Sequence, residues 1–353
     1  MPLKFTSLPD IYAAAFDTVI DVRSPAEYAE DHIPGAISLP ALSNEQRAIV
    51  GTIYVQEAPF KARKIGAAMV ARNAADHIDG PLAGKDGAWQ PLVYCWRGGQ
   101  RSGSFASILK QIGWRADTIE GGYQSYRRLV VKMLHDTPLP HPLIVLDGNT
   151  GTAKTEILLK LADHGVQVVD LEGLAAHRGS LFGAVARPQP AQKGFETALA
   201  QQFSAFDPSR PVVVEAESSK VGNLMVPPSI WAAMRAAPRL RLTASLPARA
   251  RYLTRAYSDL IADAAALQDT LAKLVAFHGR EHVAAWQMMA QNNAFEDLAG
   301  ELMAKHYDNR YAKSRAGKGD GTLADFALTS MDDADLNRVA KEVADVVNAE
   351  TSR

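Results

Sequence analysis

The chain has 353 residues, 47% of them apolar and 22% charged, with 38 basic against 39 acidic side chains and a formal charge of −1. That composition suits a folded protein of about two domains; it excludes intrinsic disorder as the main state, and the net charge carries no argument about nucleic acid. The single cysteine excludes an intramolecular disulfide and a Cys-cluster metal site.

The first part of the chain, residues 1–136, reads as an alternating α/β unit. A strand from Thr18 to Val22 enters DVRSPAEY, where Ser24 can cap a helix and Pro25 suits its first turn. A second strand, Pro91 to Tyr94, runs into CWRGGQRS, and a helix beginning near Ser102 carries Phe105, Ile108, Leu109 and Ile112, with Gly113 as its C-terminal cap. HDTPLPHP (135–142) contains three prolines and reads as a linker.

The second domain, 137–353, starts again with a strand, Leu143 to Leu146, a glycine loop, and a helix carrying Ile157, Leu158 and Leu161 that stops at Gly165. Val166 to Val169 is a strand ending in Asp170, and Pro211 to Val214 a strand ending in Glu215. Arg239 to Leu246 alternates polar and apolar, the pattern of a strand with two distinct faces. From about residue 248 the pattern is mainly helical. Strands alternating with helices predict an α/β fold with parallel sheets. No apolar run approaches the roughly 20 residues that cross a bilayer. MPLKFTSLPD holds no apolar core of signal-peptide length, so a cytoplasmic protein without a membrane partner is expected.

Charge is unevenly distributed. Between Glu217 and Asp259 there is no acidic residue, yet Lys220, Arg235, Arg239, Arg241, Arg249, Arg251 and Arg255 all fall there. A second basic cluster holds Lys305, His306, Arg310, Lys313, Arg315 and Lys318. Local positive fields of this kind attract polyanions, so the arginine run is expected to act as a lid over a phosphate ligand or as a track for RNA phosphates.

Two loops carry chemistry. Cys95 ends a strand, and Trp96, Arg97, Gly98, Gly99, Gln100 and Arg101 separate it from the helix. Consecutive backbone N–H groups and a helix N-terminus favour a thiolate, and glycines let the backbone curl around an anion. Arg97 and Arg101 add positive charge. Further on, DGNTGTAKT places Gly148, Asn149, Thr150, Gly151, Thr152, Ala153, Lys154 and Thr155 between a strand and a helix, the setting of a phosphate-binding loop. Lys154 would reach the terminal phosphate, and Thr155 could hold magnesium. Ala153 stands where the pattern G-x-x-x-x-G-K-[ST] has glycine, a cheap change at negative φ and a costly one at positive φ. Glu215 and Glu217 fall in a Walker-B-like position. His177, Arg178, Gly179 and Ser180 lie in a loop beyond a strand, where ligands bind in open α/β sheets.

These residues carry a resemblance. DVRSPAEYAEDHIPGAISLP (21–40), YCWRGGQRSGS (94–104) and EGGYQSYR (120–127) look like a rhodanese domain, and Asp21, Arg23, Glu27, His32, Pro34 and Gly35 match its first signature, which is mostly structural. In that family the cysteine takes up sulfur or selenium. The spacing C-x5-R is wider than in ordinary thiosulfate sulfurtransferases and matches cysteine phosphatases; a loop of that size suits a selenophosphate donor. With DGNTGTAKT, VVDLEGLAAHRGSLFG and HYDNRY (306–311), the chain resembles the tRNA 2-selenouridine synthase family.

The resemblance implies an N-terminal rhodanese-like domain followed by a P-loop domain with a helical C-terminal region (about 248–353). It also implies a two-step change at a wobble 2-thiouridine of tRNA, with S-geranylation by geranyl diphosphate followed by replacement with selenium from selenophosphate. Cys95 would carry selenium or sulfur, and 96–101 would hold the donor's phosphate. The loop 148–155 would hold diphosphate, with Mg at Thr155, and His177–Ser180, Glu215, Glu217, Arg249 and Arg251 would contact substrate. A selenophosphate-producing enzyme is an expected partner. The residues leave open a nucleotide-regulated sulfur carrier and a C-x5-R phosphatase.

Overall fold

The computed structural model describes residues 1–309 and 321–351, which form two compact units. In the first, four strands, β1 (Thr18–Asp21), β2 (Ile37–Ser38), β3 (Pro91–Tyr94) and β4 (Asp117–Thr118), make a parallel sheet in the order β2-β1-β3-β4. β3 is buried along its whole length, as expected of a continuous apolar run in a parallel sheet. The helix Gln100–Ile112 buries Phe105, Ala106 and Leu109 against Ile20 and Val93, and ends at Gly113, whose φ of 111° closes the cap.

The signature around Asp21 does structural work in this unit. The buried Arg23 guanidinium donates to both Asp21 oxygens and to the Asp31 carbonyl, and lies 3.8 Å from the Tyr123 ring centroid. Removing either partner of such a buried pair costs about 3–5 kcal/mol, because the other charge is left without compensation.

One helix departs from the contiguous division into 1–136 and 137–353. Gln192–Ala205, expected in the second domain, clusters with the first unit as part of Pro190–Ala205. Its polar groups find their partners there: Thr197 Oγ1 donates to Asp31 Oδ2 at 3.0 Å, Glu196 pairs with Arg127, and Lys193 meets Glu30 at 2.8 Å.

The second unit holds a five-stranded parallel sheet. Its strands are β5 (Leu143–Gly148), β6 (Gln167–Val169), β7 (Val212–Glu215), β10 (Arg239–Thr243) and β11 (Thr322–Ala327), ordered β11-β10-β5-β7-β6. A short antiparallel hairpin, β8 (Lys220–Val221) with β9 (Leu224–Met225), follows β7. The apolar faces of Lys154–Leu161 and Asp333–Thr351 pack in one core with Leu146, Val213, Leu240 and Leu242. Register aligns Leu146 with Glu215 and Gly148 with Leu242, so the carboxyl ends of the three central strands open at one edge.

One expectation for this unit needs correction. The strand at Arg239 stops at Thr243, because Ser245 caps a helix, Leu246–Ala256, that has Pro247 in its first turn. The C-terminal region is mainly helical, as expected, and adds one strand, β11, that returns to pair with β10. In the second basic cluster, Lys305 and His306 are described, whereas Arg310, Lys313, Arg315 and Lys318, with the end of HYDNRY, lie outside the described residues.

Candidate active sites

Cys95 leaves the end of β3 with its thiol buried at 3% exposure. Ser102, in the first turn of the following helix, donates its hydroxyl to Cys95 Sγ at 3.2 Å. That donor would stabilise negative charge on sulfur, a role that the sequence, which places Ser102 only near the helix start, does not signal. The loop is seated on residues 119–124: Tyr123 N–H donates to the Cys95 carbonyl and Gln124 N–H to that of Trp96. Gly122, at φ 58°, is required there, because a methyl group on it would collide with the Cys95 carbonyl oxygen.

The arginines of this loop divide. Arg97 is exposed and Gly98 adopts φ 65°. Arg101 instead donates to Glu27 Oε2 at 2.8 Å, a carboxylate it shares with Arg47. The two arginines, with hydrogen bonds from Arg101 and the Ser24 N–H, hold the Glu27 carboxyl below the usual range against its burial. Trp96 packs on Tyr123 with ring centroids 5.3 Å apart.

The second loop follows β5 and opens on a cleft of about 830 Å³ lined by residues 150–156. Gly148 cannot be larger, since a Cβ would run into Thr152 Oγ1 and Leu242. Lys154 Nζ donates to the Gly148 carbonyl at 3.0 Å, and Thr155 Oγ1 donates to Glu172 Oε2 at 2.9 Å. Ala153 sits at φ 56°, ψ 29°. The position demands the left-handed conformation, so alanine in place of glycine carries a strain of about 1–2 kcal/mol.

Arg178, Gly179, Ser180 and Glu217 line the same cleft, as do Glu172, Arg235 and Arg239. The Glu217 carboxyl lies against Gly179, and its pKa is pushed up to about 8 by burial and by Glu172 beside it, with Lys154 acting in the opposite sense. Glu215 does not reach the cleft. It is fully buried and accepts the Glu172 N–H at 2.7 Å, and burial together with the Asp170 charge drives its carboxyl well above the usual range. His177 turns to a neighbouring groove, its Nδ1 accepting the Gly179 N–H at 3.2 Å, and burial lowers its pKa.

Neither arginine singled out on the helix Leu246–Ala256 lines the cleft. Arg249 is buried, paired through both terminal nitrogens with Asp308 at 2.8 and 3.0 Å, and it donates to the Thr150 carbonyl. Asn149 also donates to Asp308. Arg249 therefore braces the loop from behind. Arg251 is exposed and lies outside the cleft lining.

Magnesium, expected at Thr155, would find a hydroxyl that already donates to Glu172. Among the described residues no group of three His, Cys, Asp or Glu side chains is placed to hold a metal.

A feature that periodicity could not locate lies beside the cleft. Phe182, Leu260, Leu298, Leu302 and Met303 line an apolar pocket, and Thr150, Ser180, Leu253, Tyr257 and Tyr307 border both it and the cleft over residues 150–156. Its walls come from several short helices between 246 and 307, joined by Thr150, Ser180 and Phe182 from loops distant in sequence. Only the apolar positions of helices 258–262, 264–272 and 295–302 signalled it, and those read equally well as core.

Residues 141–331 match the family model described as the tRNA 2-selenouridine synthase AAA domain, and residues 7–129 match the rhodanese-like domain. The chain is 35% identical to a tRNA 2-selenouridine synthase of Shewanella halifaxensis, over 68% of this chain and 65% of that one. It is 37% identical to one of Nitrosomonas eutropha over 62% and 57%, and 29% identical to one of Bdellovibrio bacteriovorus over 90% and 80%. The similarity thus spans less than two thirds of the length of the first two relatives.

Proposed function

The chain belongs to the tRNA 2-selenouridine synthase family, and on that premise we propose that it modifies tRNA, replacing the sulfur of a wobble 2-thiouridine with selenium in two steps. In the first, the 2-thio sulfur attacks C1 of geranyl diphosphate. The S–C1 bond forms as the C1–O bond breaks, diphosphate departs, and the uracil N3 proton is released. In the second, the selenium of selenophosphate bonds to C2 as the C2–S bond breaks and geranylthiol departs, and water cleaves the Se–P bond, releasing phosphate and leaving 2-selenouridine.

The apolar pocket that opens off the phosphate cleft carries the geranyl reading. A nucleoside triphosphate needs polar partners for its base and sugar, whereas a prenyl diphosphate needs an apolar wall beside a phosphate cradle. The loop 148–155 and Lys154 would stabilise the charge that develops on the departing diphosphate. The pocket would bury the tail, at about 0.8 kcal/mol for each CH2. Cys95, with Ser102 beside its sulfur, and the loop 96–101 would serve the selenium step, with Arg97 meeting the donor's phosphate.

Mass spectrometry of nucleosides tests this. Incubation of 2-thiouridine tRNA with geranyl diphosphate should yield the geranylated nucleoside with wild type and Cys95→Ala but not with Lys154→Ala. Adding selenophosphate should convert it only with Cys95 present. Loss of both steps in Cys95→Ala would refute the division of labour. Unchanged tRNA with tight NTP turnover would favour the nucleotide-regulated carrier, and aryl phosphate hydrolysis by Cys95 the phosphatase.

A further inference from the structure

The wall of the phosphate cleft contributed by the helix Pro228–Ala236 is not accounted for by a prenyl diphosphate. On that helix Ile230 is buried at 0% exposure, Met234 is buried at 2% and touches the cleft wall, and Trp231 is left half-buried and lines the cleft. Arg235 follows four residues later, on the same stripe of the helix, and also lines the cleft. Arg239, the first residue of β10, lines it as well, with only a loose 3.4 Å pairing to Asp147.

Several other charges of the acid-free run are occupied elsewhere. Arg241 is neutralised by Asp325 and Arg249 by Asp308, and Arg255 donates to the Met331 carbonyl. Arg235 is exposed and forms no ion pair with a described residue. An indole face with two guanidinium groups alongside is the arrangement that holds an unpaired base by stacking and its flanking phosphates by charge. A base inside a duplex offers no free face, so the partner is a splayed nucleotide of an RNA loop.

We propose that Trp231, Arg235 and Arg239 form the docking platform for the acceptor nucleotide, the base stacking on Trp231 and the adjoining phosphates meeting the two arginines. This rests on the reading of the cleft as the prenyl-donor site, because the platform then brings the acceptor to the chamber where the donor's diphosphate is held. The residues act by positioning and take no part in bond making.

The test uses the full chain and a 2-thiouridine anticodon stem-loop, with affinity measured by fluorescence anisotropy across a salt series. Geranyl diphosphate affinity is measured separately by calorimetry without RNA. Trp231→Ala should weaken RNA binding at least about five-fold, the low end of what one stacked base contributes, while Trp231→Phe keeps most of it. Arg235→Ala should lower the slope of log K against log salt by about 0.7, the share of one phosphate contact on a single strand. Geranyl diphosphate affinity should be unchanged in all three variants.

Folded Trp231→Ala and Arg235→Ala proteins that hold RNA within two-fold of wild type, with an unaltered salt slope, would overturn the platform and leave the donor reading intact. Parallel loss of geranyl diphosphate affinity would also overturn it, since the wall would then belong to the donor. If wild type binds no geranyl diphosphate while the RNA effects occur as expected, the platform stands and the donor reading fails.

Discussion

Asp308→Ala probes the brace behind the phosphate loop. Its carboxylate compensates Arg249, whose side chain is 7% exposed, and accepts from Asn149 in the loop itself. Without it, the buried guanidinium keeps only the Thr150 carbonyl as a described partner. Breaking a fully buried pair costs about 3–5 kcal/mol, and because Asp308 is itself 26% exposed, water can enter and reduce the loss to about 2–3 kcal/mol. For a unit of roughly 200 residues each kcal/mol shifts the midpoint by about 2–4 °C, so the transition of this unit should fall by about 4–12 °C in scanning calorimetry. The double variant Arg249→Met, Asp308→Leu removes both charges and should recover part of the loss. Pyrophosphate affinity should drop in the single variant, because Asn149 and Thr150 lose their anchor. A transition within about 1 °C of wild type, or a double variant less stable than Asp308→Ala, would refute the reasoning.

Three further outcomes are expected. Ala153→Gly relieves the left-handed strain and, after the greater chain entropy of glycine, should stabilise by about 0.5–1 kcal/mol in urea titration; destabilisation would show that the methyl group packs better than it strains. Glu217 holds its proton up to about pH 8, whereas the unfolded chain releases it near 4.5, so folding stability falls as pH rises through that window. Glu217→Gln should therefore gain stability over wild type between pH 5 and 8, by about 1 kcal/mol or more at the upper end, and a pH-independent difference would contradict the assignment. Ser102→Ala should slow alkylation of Cys95 by iodoacetamide several-fold at neutral pH, and equal rates would remove the hydroxyl from the sulfur's chemistry.

Much of the scaffold was legible because its signals are local. β3 is a short apolar run, Gly113 is a C-cap, and the strand–loop–helix order around Cys95 and Lys154 depends on neighbours a few residues apart. β11 was not legible, since Thr322–Ala327 alternates weakly and becomes a strand only because β10 offers a parallel edge. The apolar pocket was hidden for a related reason. Helix faces that line a cavity and faces that fill a core share one periodicity, and three-dimensional packing alone separates them.

The arginine run shows where the division lies. The sequence by itself determined that 218–258 has no internal counter-charge, that a thiol opens one glycine loop after a strand and a lysine closes another before a helix, and that Ala153 stands in a glycine's place. Whether those arginines were free to meet a polyanion depended on acids that chain separation hides: Asp147, Asp308 and Asp325 approach them only after the sheet and its flanking helices assemble. Tertiary structure turned Arg249 into a brace, left Arg235 facing the cleft, and set Ala153 at positive φ. Charge pairing acts through space at a few ångströms, whereas caps and periodicity act along the chain; only the latter can be read from one dimension.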